Sequence, residues 1–193
     1  MKKIAMGLML AALVMVSCKD DKKKMESDEV TDKEVVEEVE EVDVKKLTMT
    51  LESKSGSTAT GTITFYEENG VVGMEATLSG LTPGTHAIHI HEKADCTSED
   101  GKSSGGHWNP TFEPHASWGA EGGYHKGDIG NFEADENGNG SVVMKTDEWC
   151  LGCGDEKKDI LGKAIIVHQG ADDFTSQPSG AAGARISCGG IIE

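Results

Sequence analysis

His86, His89, His91, His107, His115, His125 and His168 are all the histidines of this 193-residue chain. Neutral imidazole is the commonest side-chain ligand for metals of borderline softness. His89 and His91 form a His-x-His pair, and residues two apart in a strand share a face, so one ion can hold both. His107, His115 and His125 follow in a glycine-rich stretch, with Asp128 three residues after the last of them. His168 ends the apolar run Ala164-Ile165-Ile166-Val167. A lone His-x-His is more often a strand surface than a site, but six histidines and an aspartate in this order are strong evidence of one. If one imidazole is shared, the set suffices for a nitrogen-rich site of the kind copper takes. It leaves a three-imidazole, one-carboxylate site of the kind zinc takes. His86 reads as a structural histidine bonded to backbone, and Trp108 as packing.

The elements that must position these residues are short. Helical periodicity is nearly absent after residue 46, and alternating or β-branched runs fall at 47–51, 58–66, 71–78, 85–91, 129–134, 141–145, 163–168 and 184–188. Asn69-Gly70 and Asn137-Gly138 lie between such runs and favour two-residue type I′ hairpins. Asn139-Gly140 follows at once and leaves the second register open. Eight short strands with turn signals predict an all-β fold, an eight-stranded Greek-key sandwich or flattened barrel. Two long connections interrupt it, 92–128 and 172–182. Loops that long in a compact domain are usually functional. They hold or adjoin the later histidines, Asp128 and Arg185.

At these residues the chain resembles the copper/zinc superoxide dismutases. The matching text is Gly84-Thr85-His86-Ala87-Ile88-His89-Ile90-His91-Glu92, Gly105-Gly106-His107-Trp108-Asn109-Pro110 and His125-Lys126-Gly127-Asp128-Ile129-Gly130-Asn131. Val167-His168, Asp172-Asp173 and Gly183-Ala184-Arg185-Ile186-Ser187-Cys188-Gly189 complete it, so the likeness runs from about Lys46 to the C-terminus. The resemblance implies copper held by His89, His91, His107 and His168, and zinc held by His107, His115, His125 and Asp128. His107 would bridge the two ions and serve in catalysis. Asp172 would hydrogen-bond ligands of both metals from behind, Arg185 would dock the superoxide anion, and Cys96 would pair with Cys188. Between Asp173 and Arg185 no residue is charged. In this the chain is similar to the bacterial branch and unlike the long Lys/Glu-bearing guidance loop of the eukaryotic enzymes. Cys150-Leu151-Gly152-Cys153 is outside the family pattern.

The N-terminus points to export. Met1-Lys2-Lys3 and the apolar run at 4–16 predict a signal peptide over 1–17, too short to span a bilayer, which takes about 20 residues. Met15-Val16-Ser17-Cys18 resembles a bacterial lipobox, which predicts lipidation of Cys18; an ordinary signal peptide with a chance cysteine is the alternative. Lys19-Asp20-Asp21 resembles the acidic export signal of some surface lipoproteins. Residues 18–45 read as the lipidated cysteine and a charged tether that cannot bury a core. Its reach is about 30 Å; Val35, Val39 and Val42 also allow a short amphipathic helix. Residues 46–193 form the domain. The four remaining cysteines, an even number in an exported protein, argue disulfides and permit three connectivities. With Cys96–Cys188 implied by the resemblance, Cys150 and Cys153 are left to pair locally. A redox-active or metal-binding Cys-x-x-Cys is the alternative.

The expected activity is conversion of superoxide to dioxygen and hydrogen peroxide at a copper bridged to zinc. The expected location is a membrane-anchored lipoprotein of the bacterial cell envelope. A copper- or zinc-binding or delivery lipoprotein without turnover is the second reading. A net charge of −16 excludes nucleic acid as a natural partner. Oligomeric state is not legible, although Trp118 and Trp149 are candidates for an interface.

Overall fold

The structure, a computed structural model, describes residues 44–193. The expected signal peptide, Cys18 and nearly all of the tether lie outside the described residues. Eight strands follow in chain order: β1 Lys45–Ser53, β2 Thr60–Glu68, β3 Val71–Ser79, β4 Gly84–His91, β5 Gly130–Ala134, β6 Gly140–Thr146, β7 Ala164–His168 and β8 Arg185–Gly190. Each expected run is found, with ends moved by a few residues. One 3₁₀ turn, Lys102–Ser104, was not expected.

The strands close a barrel in the order β1-β2-β3-β6-β5-β4-β7-β8, every pair antiparallel. The β3-to-β4 and β6-to-β7 connections cross between non-neighbours, which makes it a Greek key. Two seams are thin. β5 and β6 share only Ala134↔Gly140, and β1 and β8 share only Glu52↔Cys188 and Ser53↔Ser187. The barrel is therefore flattened into two four-stranded sheets, β1-β2-β3-β6 and β5-β4-β7-β8.

The first sheet has one wet face. Met49, Leu51, Ile63, Phe65, Val72, Met74, Ala76 and Leu78 are buried, alternating with Thr50, Thr62, Glu75 and Thr77, which face solvent. Tyr66 lies over Gly73, where a Cβ would strike its ring, and Lys145 stacks 5.5 Å from that ring. In the second sheet β4, β7 and β8 are covered on both faces, and β5 at its edge exposes Asn131 and Glu133. In β4, Ile88 and Ile90 join the barrel core, while His89 and His91 point the other way and are still buried. In β7, Ile165 and Val167 join the core, and Ala164 and Ile166 pack on the opposite side with Cys188 and Cys96. A strand buried on both faces reads as an unbroken apolar run rather than an alternation, as 164–167 does.

Turn chemistry holds at one hairpin and fails at the other. Glu68↔Val71 closes β2–β3 around Asn69-Gly70, both at positive φ (52° and 76°), as a type I′ turn needs. The second hairpin is not two residues long. Residues 135–139 form its loop, with Asp135 accepting from the backbone N–H groups of Asn137 (2.9 Å) and Asn139 (2.8 Å). The Asx-type bonds of Asp135 outcompete the tight turn. A third long connection, 147–163, joins β6 to β7, where the sequence suggested only two. It carries Trp149, 1% exposed, whose Nε1 donates to the Lys126 carbonyl at 2.9 Å. Trp118 packs edge-on against it at 5.4 Å. Trp149 is thus a core residue rather than a surface one, and the half-buried Trp118 packs over it.

Cys96 and Cys188 are bridged, with Cα atoms 5.8 Å apart and a sequence separation of 92. The bridge ties the long 92–128 connection to β8. Reducing it should destabilise the domain by about 2–5 kcal/mol, seen as a lower denaturant midpoint with unchanged metal content at the start of the titration. An unchanged midpoint in protein whose Cys96 and Cys188 thiols have been trapped would show that the bridge adds nothing.

Candidate metal centre

Three strand features aim the histidines. The pleat of β4 puts His89 and His91 on one face. β7 lies beside β4, pairing Ile166 with His89 and Ala164 with His91, so His168 ends on the same side. A register shift between Val167 and His168 bends β7 there and brings His168 opposite Arg185. His107 enters from the long connection and is pinned across from His91 in an isolated antiparallel bridge. Next to it, Trp108 N donates to Ile90 O at 2.8 Å and Gly127 N donates to Trp108 O at 3.0 Å. Ile90 N donates back to Gly127 O at 2.9 Å. That three-way lacing brings the 125–128 turn to the edge of β4. Gly127 has no room for a side chain there, since a Cβ would strike the Ile90 carbonyl.

The result is two groups of ligand atoms sharing one residue. His89, His91, His107 and His168 offer nitrogens within 4.8 Å of one another, as do His107, His115 and His125 with an Asp128 oxygen. All are buried. The ring nitrogens left without a hydrogen-bond partner are His89 Nδ1, His91 Nε2, His107 Nε2 and His168 Nε2 in the first group, and His115 Nδ1 and His125 Nδ1 in the second. The opposite nitrogen is tied down in most rings. His89 Nε2 donates to Asp172 Oδ2 (2.9 Å), His91 Nδ1 to Gly105 O (3.0 Å) and His115 Nε2 to Asp172 Oδ1 (2.9 Å). His168 Nδ1 is held more loosely by Gly183 O at 3.4 Å. Asp128 accepts from His107 Nδ1 at 2.9 Å and lies 3.0 and 3.3 Å from His115 Nδ1 and His125 Nδ1, close enough to share a cation with them but not aligned for a hydrogen bond. Buried polar atoms are otherwise almost always paired, so bare nitrogens converging on two points fit two cations. Histidine nitrogens alone suit copper, and three with a carboxylate suit zinc.

Electrostatics set the protonation that such ligands need. Burial pushes His107 down to about 4, against the pull of Asp128. Burial, then the neighbouring His89 and His107, pushes His168 down to about 3. Burial would raise Asp128, but hydrogen bonds from His107 and His125 outweigh it and hold the carboxyl well below the usual range. Asp172 is held low in the same way by His89 and His115. Burial lowers His91 as well, so the imidazoles of His91, His107 and His168 stay neutral, and the two carboxylates stay charged.

Asp172 is the residue that joins the two groups. Its oxygens accept from one ring of each, and its backbone is clasped by Asn131 through N–H to Oδ1 (2.8 Å) and Nδ2–H to O (2.9 Å). Gly180, at φ +69°, closes over it; a Cβ there would collide with Asp172 Oδ1 and His115 Nε2. Gln177 locks the two long loops together, accepting from His115 N (2.9 Å) and donating to His115 O (2.8 Å). Asn131 stands in the matching text without a role, and nothing singled out Gln177 or Gly180, whose residue types carry no chemical signal. His86 is a structural histidine as expected, its ring between the carbonyls of His168 and Thr82, each at 2.8 Å.

A cleft of about 700 Å³ opens onto the first group, lined by His91, His107, His168 and Arg185. One Arg185 Nη donates to Gly101 O (2.9 Å) and to the buried Ser104 Oγ (3.0 Å). Among the described residues no other acceptor holds the fork, so its remaining N–H groups are available to an anion. Lys102 also lines the cleft, a cation that a search confined to 174–184 misses, but it is paired with Asp100 at 3.0 Å. Glu92 and Asp100 stand on the same rim.

Comparison with known proteins agrees with this geometry. The family model of copper/zinc superoxide dismutase (SODC) matches residues 59–191. The superoxide dismutase-like protein YojM of Bacillus subtilis (strain 168) is 32% identical over 197 residues, covering 100% of this chain and 97% of that protein. Superoxide dismutase [Cu-Zn] 2 of Aquifex aeolicus (strain VF5) is 37% identical over 135 residues, covering 68% of this chain and 78% of its own length. The crystal structure of a SOD-like protein from Bacillus subtilis superposes with a TM-score of 0.66 at 33% identity, over 75% of this chain and 97% of that one.

Asp172→Asn places an amide N–H where one of two ring N–H groups must find an acceptor. Loss of such a partner costs about 10- to 100-fold in metal affinity, and chelator competition should register that weakening for zinc. An affinity equal to wild type would reduce Asp172 to an ordinary loop residue.

Proposed function

The chain belongs to the copper/zinc superoxide dismutase family, and from that membership we propose that it is an active dismutase, converting superoxide to dioxygen and hydrogen peroxide. The observation that carries the proposal is the complete set of bare nitrogens beside an anchored arginine. His89, His91, His107 and His168 would hold copper, and His107, His115, His125 and Asp128 would hold zinc. Copper, when bound, supplies one-electron exchange with superoxide in both directions, and zinc a fixed positive charge.

The protein's own groups do the rest. Arg185 receives the anion: its fork is planar and charged, and Ser104 and Gly101 hold it at the wall of the cleft. His107 has one nitrogen toward each group, Nδ1 beside Asp128 and Nε2 bare. Nε2 is therefore the atom at which a proton can be held between the two half-reactions and returned toward peroxide. Asp172 keeps His89 and His115 in the tautomers that leave Nδ1 free. Two superoxide ions and two protons give one dioxygen and one hydrogen peroxide, so the site must admit protons as well as the anion, and the open cleft does. A storage or delivery protein would need the histidines but not Arg185, which favours turnover over that second reading.

Two disulfides fit an exported protein in an oxidising compartment. Lipidation at Cys18 would anchor it to the envelope through the 18–45 tether.

The net charge of −16 repels superoxide at long range, yet distant charges are screened beyond about 8 Å at physiological salt. With Lys102 paired to Asp100, Arg185 is the main unpaired side-chain attraction at the cleft. The metal-loaded protein should dismute superoxide at a rate that falls as salt rises. Arg185→Ala should slow it and flatten that dependence in a pulse-radiolysis or stopped-flow series. A fully metallated protein without turnover would leave the delivery reading, and a wild-type rate that climbs with salt would mean that global repulsion dominates. Cys18→Ser should move the protein from the membrane to the soluble exported fraction, since stable anchoring takes more than one acyl chain. Persistent membrane association would point to the 4–16 run acting as an uncleaved anchor.

A further inference from the structure

The 147–163 connection carries chemistry that dismutation does not use. Cys150 is buried, Cys153 is exposed, and Asp159 lies against both; one ligand atom from each falls within 4.8 Å of the others. The loop is built around the Asp159 carboxylate. Oδ1 accepts from Gly152 N and Leu161 N at 3.0 Å each, and Oδ2 accepts from Gly154 N at 2.8 Å. Backbone bonds reinforce it: Cys150 N donates to Lys158 O at 2.8 Å, and Ile160 N to Cys150 O at 3.1 Å. Glu67 Oε2 accepts from Leu151 N at 3.0 Å, between the two cysteines. The two Cα atoms, 6.0 Å apart, are thus held by hydrogen bonds that do not depend on the sulfur–sulfur bond.

We propose that Cys150 and Cys153 form a redox-gated cation site: reduced, the two thiolates and Asp159 hold one zinc-class divalent cation, and oxidised they cannot. C-x-x-C is the spacing at which two thiolates reach one tetrahedral ion with bonds of about 2.3 Å, and a carboxylate oxygen is an accepted third ligand. Three anionic donors on one loop have a net attraction for a cation that the disulfide form lacks. Opening takes two electrons and two protons from a dithiol donor, which leaves as its own disulfide. Binding then replaces the two thiol protons with the cation. The exposed Cys153 sulfur is where the donor attacks. Trp149 and Glu148, just before Cys150, brace the zinc-ligand turn through Lys126 O and the Tyr124 hydroxyl, at 2.9 and 2.6 Å. The site therefore sits on the support of the metal centre without sharing any ligand with it.

The test uses full-length protein, zinc-loaded so that the histidine groups are filled, reduced with a phosphine and titrated with Co²⁺. Sulfur-to-cobalt charge transfer in the near ultraviolet arises only from thiolate ligands, and the histidine groups have none. The expected result is a band on reduced protein that saturates at one equivalent and is missing from oxidised protein. Cys150→Ser with Cys153→Ser should abolish it. Cys153→Ser alone, at an exposed position, and Asp159→Asn should each weaken Co²⁺ binding by about tenfold or more. A reduced wild-type protein without the band overturns the proposal. A band that survives in the double-serine protein does so too, because it then belongs to reduced Cys96 and Cys188.

Discussion

Six buried imidazole nitrogens without a partner are the constraint around which this barrel is arranged. A buried polar atom left unpaired costs about 1–3 kcal/mol, and the natural escapes are to rotate, to take up a proton or to admit water. The fold closes the first by tying the opposite nitrogen of most rings to a carboxylate or carbonyl. It closes the second by burial, which drives His107 and His168 far below the ordinary imidazole range. What is left is an arrangement that a cation satisfies better than anything else does. The covered outer face of β4 and β7, the long loops and the Asn131, Gln177 and Gly180 contacts all maintain that arrangement.

Part of the candidate ligand set was legible because its spacing is local. His89 and His91 announce a strand face by their separation of two, and His168 ends a run whose unbroken apolar character already implies burial on both sides. His107, His115, His125 and Asp128 have no such period; residue type and order made them candidates, and the resemblance alone assigned their roles. The backbone lacing of Trp108, Gly127 and Ile90 sets that loop against β4. Contacts between two loops leave no pattern in a sequence, so the Gln177 clasp on His115 was invisible. Tryptophan misled for a related reason. The same large amphipathic side chain suits an interface or a core, and only the 147–163 connection, which folds Trp149 inward, decides between them. The second hairpin was missed because Asp135 offers a carboxylate to the very N–H groups that a tight turn would leave to solvent.

Charge at the cleft shows why counting residues is a poor guide to a field. Arg185 and Lys102 line the same opening as Glu92 and Asp100. Lys102 is neutralised at any distance beyond its ion pair with Asp100, whereas Arg185 is held by neutral acceptors and keeps its full charge. With that pair cancelled, Arg185 and Glu92 remain as opposite charges on the rim, so position rather than number decides which of them an anion meets.

The core and the candidate ligands occupy opposite faces of the same two strands. Ile88, Ile90, Ile165 and Val167 fill the barrel, while His89, His91 and His168 look away from it. Inheritance can therefore act on the two faces separately. A lineage that exchanges its imidazoles for other side chains loses the metals and keeps the barrel, because no ligand is needed to fill the interior. Drift in the interior meets packing constraints that the ligand face never feels. Descendants of one such chain can thus part in chemistry long before they part in shape.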